Sequence, residues 1–350
     1  MWHQQTGADR AQWRTADTPF EVDLYDGELT PKGAYAIGEG GTIVADTGTG
    51  WHVVVEGAAP TADATSVRAM DSTSAGERLW MVGTGGSLAC YDVSKGELFE
   101  YDYPVEMASV WEGIAISGDA GEEKGVAADG RGGILPFSVD GHDVDWGTVD
   151  RPDENERIDA LAASPDGIAY TIDTGGIAYK TTIKDGWSAT GTVKPDTTFH
   201  DLDAWENERV YVSADDGCLY RYDNEPDDWA PLGVTGGTGV VSIDLHDEGD
   251  GYPQMCALGA DGALYERTGP EEWERTALPT DEPLIDLALG SPDLVVGANG
   301  TVLVRERNEE FHEEDPQSAD AETADGGDVD PADADDSDTD APDPPDEPDA

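Results

Sequence analysis

Three features repeated along this 350-residue chain predict an all-β fold, a seven-bladed β-propeller of four-stranded antiparallel blades. A small turn doublet recurs seven times: Gly40-Gly41, Gly85-Gly86, Gly132-Gly133, Gly175-Gly176, Asp216-Gly217, Asp261-Gly262 and Asn299-Gly300. The gaps between them are 45, 47, 43, 41, 45 and 38 residues, the period of a propeller blade. Short apolar runs flank most doublets, as in a tight hairpin whose turn needs positive φ. A tryptophan opens or occupies the fourth segment of most copies, at Trp51, Trp146, Trp187, Trp229 and Trp273; the second copy carries Leu98-Phe99 there.

Each copy reads as four strands, the first innermost. The fourth shows the register: residues 158–163, 167–173, 176–182 and 187–193 are rich in β-branched and aromatic residues and are separated by Gly- and Asp-containing turns. The blades are expected at about 20–57, 64–104, 107–151, 157–195, 199–234, 239–280 and 283–307. The seventh copy lacks its outer strand. Trp13-Arg14-Thr15-Ala16 resembles Trp273-Glu274-Arg275-Thr276-Ala277, so residues 11–17 are expected to supply it and close the ring. The tryptophans are expected to cover the seams between blades.

The chain carries 77 acidic against 19 basic residues, a net charge of −58. Residues 308–350 hold 19 of the acids and no Lys or Arg, leaving 58 acids among the blades against all 19 basic residues. Such self-repulsion calls for screening salt, and the bias, with only six Lys, resembles that of proteins from salt-in halophiles, pointing to a halophilic archaeon. The tail is poor in large apolar residues and is expected to be disordered. A propeller body over 1–307 and a disordered acidic tail over 308–350 are therefore the expected domains. No signal-peptide or membrane-spanning run is visible, so a cytoplasmic monomer is expected. Cys90, Cys218 and Cys256 read as small buried fillers of strands.

Motifs that carry chemistry are few in this sequence. Six scattered His residues form no metal-ligand pair, and there is no nucleophile elbow, P-loop or dinucleotide fingerprint. Nucleic acid is excluded as a partner by the shortage of basic residues. One pattern stands out. Asp23, Asp159, Asp203, Asp244 and Asp286 each lie between apolar neighbours on a first strand, with Arg68 and Trp111-Glu112 in the second and third copies. These positions are expected to ring the central channel. They either hold a hard cation such as Ca²⁺ or Na⁺, or bond backbone amides of the neighbouring blade and lock blade to blade. In the third copy, Trp111, Glu112, Asp119, Glu122 and Glu123 form the expected partner surface, with Trp111 exposed on an irregular blade.

The run from Gly33 to Trp51 (GAYAIGEGGTIVADTGTGW), with 78–88 and 293–303, resembles the repeats of photosystem II stability/assembly-factor propellers, within the wider sialidase-like BNR (Asp-box) group. The likeness covers about residues 12–307. Asp46-Thr47-Gly48-Thr49-Gly50-Trp51 is a degenerate Asp-box and Asp185-Gly186-Trp187 a weaker one; in that group the box is a structural turn. The resemblance implies a propeller that serves as an assembly or interaction platform. A non-enzymatic platform binding a protein partner is thus the first functional expectation, with no cofactor. Two alternatives stand beside it: a small-ligand or cation-binding propeller using the Asp ring, and a quinoprotein- or glycosidase-like enzyme at the channel mouth. The run from Tyr91 to Phe99 resembles a quinoprotein docking repeat, but it occurs once.

Overall fold

The computed structural model describes residues 12–306 apart from 58–66, 87, 102–109, 155, 183–185, 206–208, 224–227 and 247–252. It is a ring of seven four-stranded antiparallel sheets, each strand pairing with the next in sequence from the channel outward. The inner strands are Leu24–Thr30, Val67–Ser72, Trp111–Ser117, Ile158–Ala163, Phe199–Trp205, Val240–His246 and Leu284–Ala288, hereafter the inner strands of blades 1 to 7. Each packs against the next, and that of blade 7 packs against that of blade 1. The fourth copy follows its expected pattern closely, with strands Ile158–Ala163, Ala169–Asp173, Ile177–Thr181 and Ser188–Thr192. The acidic tail lies outside the described residues. Among the described residues no helix is long and apolar enough to cross a membrane.

Blade 7 is completed from the other end of the chain. Arg14–Thr15 pairs with Val302–Arg305, Arg14 opposite Val304 and Thr15 opposite Leu303. Trp13, buried, packs into the seam between blades 6 and 7 and places its ring 4.8 Å from the Arg305 guanidinium. This closure covers the edge that the last blade would otherwise expose.

The turn doublets join second to third strands. Their second residue has positive φ in six copies, Gly41, Gly86, Gly176, Gly217, Gly262 and Gly300. In the third copy that role falls one residue earlier, on Gly132, because blade 3 reaches its turn through Asp129-Gly130-Arg131. A Cβ on Gly132 would also stand 2.2 Å from the Glu156 carbonyl oxygen, so glycine is required twice over.

Apolar packing lies between blades rather than within them. Seven buried clusters form, one per seam. The outer-strand tryptophans join them: Trp229 packs on residues of blade 4 and donates to Thr190 Oγ1 at 3.4 Å, and Trp51 packs against blade 7. Second strands such as Arg78–Gly83 and Asp293–Gly297 are buried throughout, so they read as continuous apolar runs. Outer strands such as Trp273–Ala277 are largely exposed, and there the acid and polar residues accumulate. Two buried ion pairs also cross seams. Arg78 Nη1 donates to Glu123 Oε1 at 2.8 Å, and Arg305 Nη1 donates to Glu266 Oε1 at 2.9 Å. All three cysteines are free, Cys90 and Cys256 being buried.

Trp13→Ala is expected to destabilise the chain by about 3 kcal/mol, from lost burial and the cavity left in the seam between blades 6 and 7. Chemical unfolding at fixed salt measures it; an unchanged midpoint would show that the N-terminal strand contributes nothing to closure.

Candidate functional site

The inner strand is the channel-side edge strand of its blade, so part of its backbone N–H row has no neighbour in its own sheet. Those amides are met by carboxylates of the preceding blade. Met70 N donates to Asp26 at 2.7 Å, Ile116 N to Asp71 at 2.6 Å, Ile243 N to Asp201 at 2.8 Å and Leu245 N to Asp203 at 2.7 Å. Leu289 N donates to Asp244 at 2.5 Å, and Gly27 N to Asp286 at 2.9 Å across the closing seam. Phe199 N makes a longer bond of 3.4 Å to Asp159. From blade 3 to blade 4 the matching positions are Gly113 and Ala115, which carry no acceptor, and this seam also has the smallest apolar cluster.

The registers differ from the expected single ring, for a physical reason. Every inner strand carries a register shift near its start, where an extra residue opposes the second strand. Such a bulge turns two consecutive side chains the same way. The first of the two lines the channel in every blade: Ile285, Tyr25, Arg68, Glu112, Asp159, His200 and Val241, in ring order from blade 7 to blade 6. The second position and the one two residues beyond it carry the cross-blade carboxylates. Of the predicted ring, Arg68 and Asp159 therefore belong to the mouth layer, while Asp203, Asp244 and Asp286 lie deeper with Asp26, Glu28, Asp71 and Asp201. Asp23 lies outside the channel lining and accepts from Asn299 N at 2.9 Å. Trp111 is fully buried at the start of its strand, packed between blades 2 and 3, so it offers no surface to a partner. The expected partner surface of blade 3 is divided. Glu112 stands at the channel mouth, Asp119 and Glu122 are exposed at the opposite end of the strand, and Glu123 is buried against Arg78.

The cavity enclosed by the inner strands has a volume of about 600 Å³. Its deep carboxyls are half-buried, each with one edge on the channel. Burial pushes Asp71 and Asp201 up to about 7 and Asp203 up to about 6. Burial, then the neighbouring acids, holds Asp26, Glu28 and Asp244 well above the ordinary carboxylate range, and burial raises Asp286. Asp26 and Asp286 interact across the seam between blades 7 and 1, as do Asp203 and Asp244 across that between blades 5 and 6, so the titration of each pair is coupled. Ser242 Oγ donates to the second oxygen of Asp286 at 2.9 Å. Among the described residues no group of three or more His, Cys, Asp or Glu side chains is placed to hold a metal ion.

The mouth layer differs from this floor. Arg68 and Glu112 are exposed and make no hydrogen bond or ion pair with a described residue. His200 is exposed, and its Nε2 pairs with Asp215 Oδ1 at 2.5 Å, a bond that draws the Asp215 carboxyl below its usual range. The Tyr91–Phe99 run proves to be a hairpin: Asp92 accepts from Ser94 Oγ and from both the backbone and side-chain nitrogens of Lys95. Burial pushes Asp92 up, but these bonds outweigh it and bring it to about 2.

No protein-family model matches the chain, and no curated protein matches it in sequence. Solved structures do match in shape. YCF48 from Cyanidioschyzon merolae superposes with a TM-score of 0.65 at 14% identity, over 85% of this chain and 99% of that one. A YCF48 bound to D1 peptide gives 0.66 at 14% identity, over 85% and 97%. A catalytically inactive virginiamycin B lyase from Staphylococcus aureus with quinupristin gives 0.69 at 11% identity, over 84% and 99%. At these identities the likeness shows the propeller fold, shared by the YCF48 proteins and a lyase alike.

Carboxyls raised by folding bind more protons in the native chain than in the unfolded one, whose carboxylates titrate near 4. Their stabilising contribution is complete below that value and is lost as pH rises through about 6 to 7. At fixed high salt the melting temperature is therefore expected to be higher near about pH 5.5 than near about pH 8, with a smaller difference in Asp26→Asn. Melting that rises with pH over this range would contradict carboxyls raised by burial in the channel. Asp71→Ala, which strips the Ile116 amide of its acceptor, is expected to cost about 1–3 kcal/mol in chemical unfolding.

Proposed function

We propose that the chain is a non-enzymatic propeller that binds a protein partner at the channel mouth, in a high-salt cytoplasm. One observation carries this reading. Most of the deep carboxylates accept from backbone amides of the next blade, whereas Arg68 and Glu112 of the mouth layer make no hydrogen bond or ion pair with a described residue. Exposed polar groups that the fold does not use are available for recognition. A YCF48 propeller bound to D1 peptide supports it by fold alone. The acid excess over the blades supports the high-salt setting, since screening relieves the self-repulsion.

A second reading, an enzyme with its site at the mouth, is favoured by the His200–Asp215 pair, which fixes an imidazole beside the cavity as a general base would be fixed. The lyase among the structural neighbours has the same fold.

Affinity capture from native extract in molar salt, with the full chain and with His200→Ala, separates the two. A stoichiometric partner captured by the full chain, with no turnover by either chain, is expected. Absence of any partner, with turnover of a peptide or depsipeptide substrate lost in His200→Ala, would overturn the platform in favour of the enzyme.

A further inference from the structure

The mouth ring is divided into sectors, and their order around the channel defines a ligand. Blades 6, 7 and 1 contribute Val241, Ile285 and the ring of Tyr25. Blades 3 and 4, across the channel, contribute Glu112 and Asp159. The boundaries between the two arcs are held by Arg68 on blade 2 and His200 on blade 5. Alternate residues of a regular strand would give one channel-facing side chain at this level; the bulge in each blade adds this second layer above the cross-blade carboxylates.

Each arc favours a different chemistry. The apolar arc gains from covering a hydrophobic side chain. The acidic arc takes a cation, and two features strengthen that preference. The chain's 77 acidic residues against 19 basic ones draw cationic partners from solution. Those of the deeper carboxyls that ionise add negative charge beneath the mouth. An acidic partner segment meets repulsion from both arc and floor, and Arg68 stands at one boundary alone.

On the platform reading, on which this rests, we infer that the mouth recognises a peptide segment that sets an apolar side chain against Val241, Ile285 and Tyr25 and a Lys or Arg side chain against Glu112 and Asp159. Selectivity comes from placing both groups on opposite sides of one narrow channel, which a charge alone does not satisfy.

Fluorescein-labelled synthetic peptides with a Leu-Lys core, and matched Leu-Glu and Ser-Lys controls, test it by anisotropy on the full chain at fixed salt. The Leu-Lys peptide is expected to bind at least about tenfold more tightly than either control. The Val241→Ser/Ile285→Ser double variant is expected to reduce its affinity to that of Ser-Lys, and Glu112→Gln/Asp159→Asn to remove the preference over Leu-Glu. Glu112→Gln alone keeps the side-chain shape and removes no hydrogen bond or ion pair to a described residue, so it reports even where a double variant unfolds. Equal binding of Leu-Lys and Ser-Lys, no binding, or insensitivity to the arc variants would overturn the inference. The two readings fail separately: a partner captured from extract regardless of the arc variants keeps the platform and removes this recognition mode, whereas no captured partner removes the platform.

Discussion

The bond from a channel carboxylate to a backbone amide of the next blade is the constraint on which the ring depends. Each blade presents its inner edge strand to the axis, and amides along such an edge must find acceptors. An Asp on the preceding inner strand reaches them at 2.6–2.9 Å in most seams, the closing one included, where Gly27 N meets Asp286. A carboxylate fits the task because it accepts several bonds at once, and Asp286 serves Gly27 and Ser242 together. The apolar clusters follow the same geometry, one to a seam, so backbone bonding and burial hold neighbouring blades together in parallel.

Concentrating acids at the axis has a consequence of its own. Seven deep carboxyls facing one cavity cannot all ionise at ordinary cost, and burial, together with the neighbouring acids at Asp26 and Asp244, raises them. This interior chemistry differs from that of the outer strands, where acids are solvated and answer to salt rather than to protons. The seam from blade 3 to blade 4 lacks the carboxylate bond, with Gly113 and Ala115 at the acceptor positions, and has the smallest apolar cluster.

Much of this was legible in the sequence because repeats announce themselves through turns. Positive φ at Gly41, Gly176 or Gly300 leaves a glycine at a regular spacing, and Trp13 matched Trp273 closely enough to place the closing strand. The bulges were not legible, since an extra residue carries no fixed residue type; the nearest signal was two successive polar residues, Tyr25-Asp26 and His200-Asp201, where strict alternation allows one. Reading all Asp residues into one register therefore merged two layers with different duties and admitted Asp23. Trp111 misled because its polar neighbours Glu112 and Gly113 gave no sign that the ring turns into the seam with blade 2. The separation of the channel into a deep layer of carboxyls bonded to neighbouring blades and a mouth layer in which Arg68 and Glu112 make no such bond is visible only in the hydrogen bonds.

Native-state hydrogen exchange, followed amide by amide, tests the central claim most directly. The amides of Gly27, Met70, Ile116, Ile243, Leu245 and Leu289 should exchange slowly in the intact chain. In Asp71→Ala protection should fall at Ile116 first, and in Asp244→Ala at Leu289 first, the other seams retaining theirs. Protection that is low at these amides from the start, or that survives loss of the carboxylate, would contradict a ring closed by carboxylate-to-amide bonds.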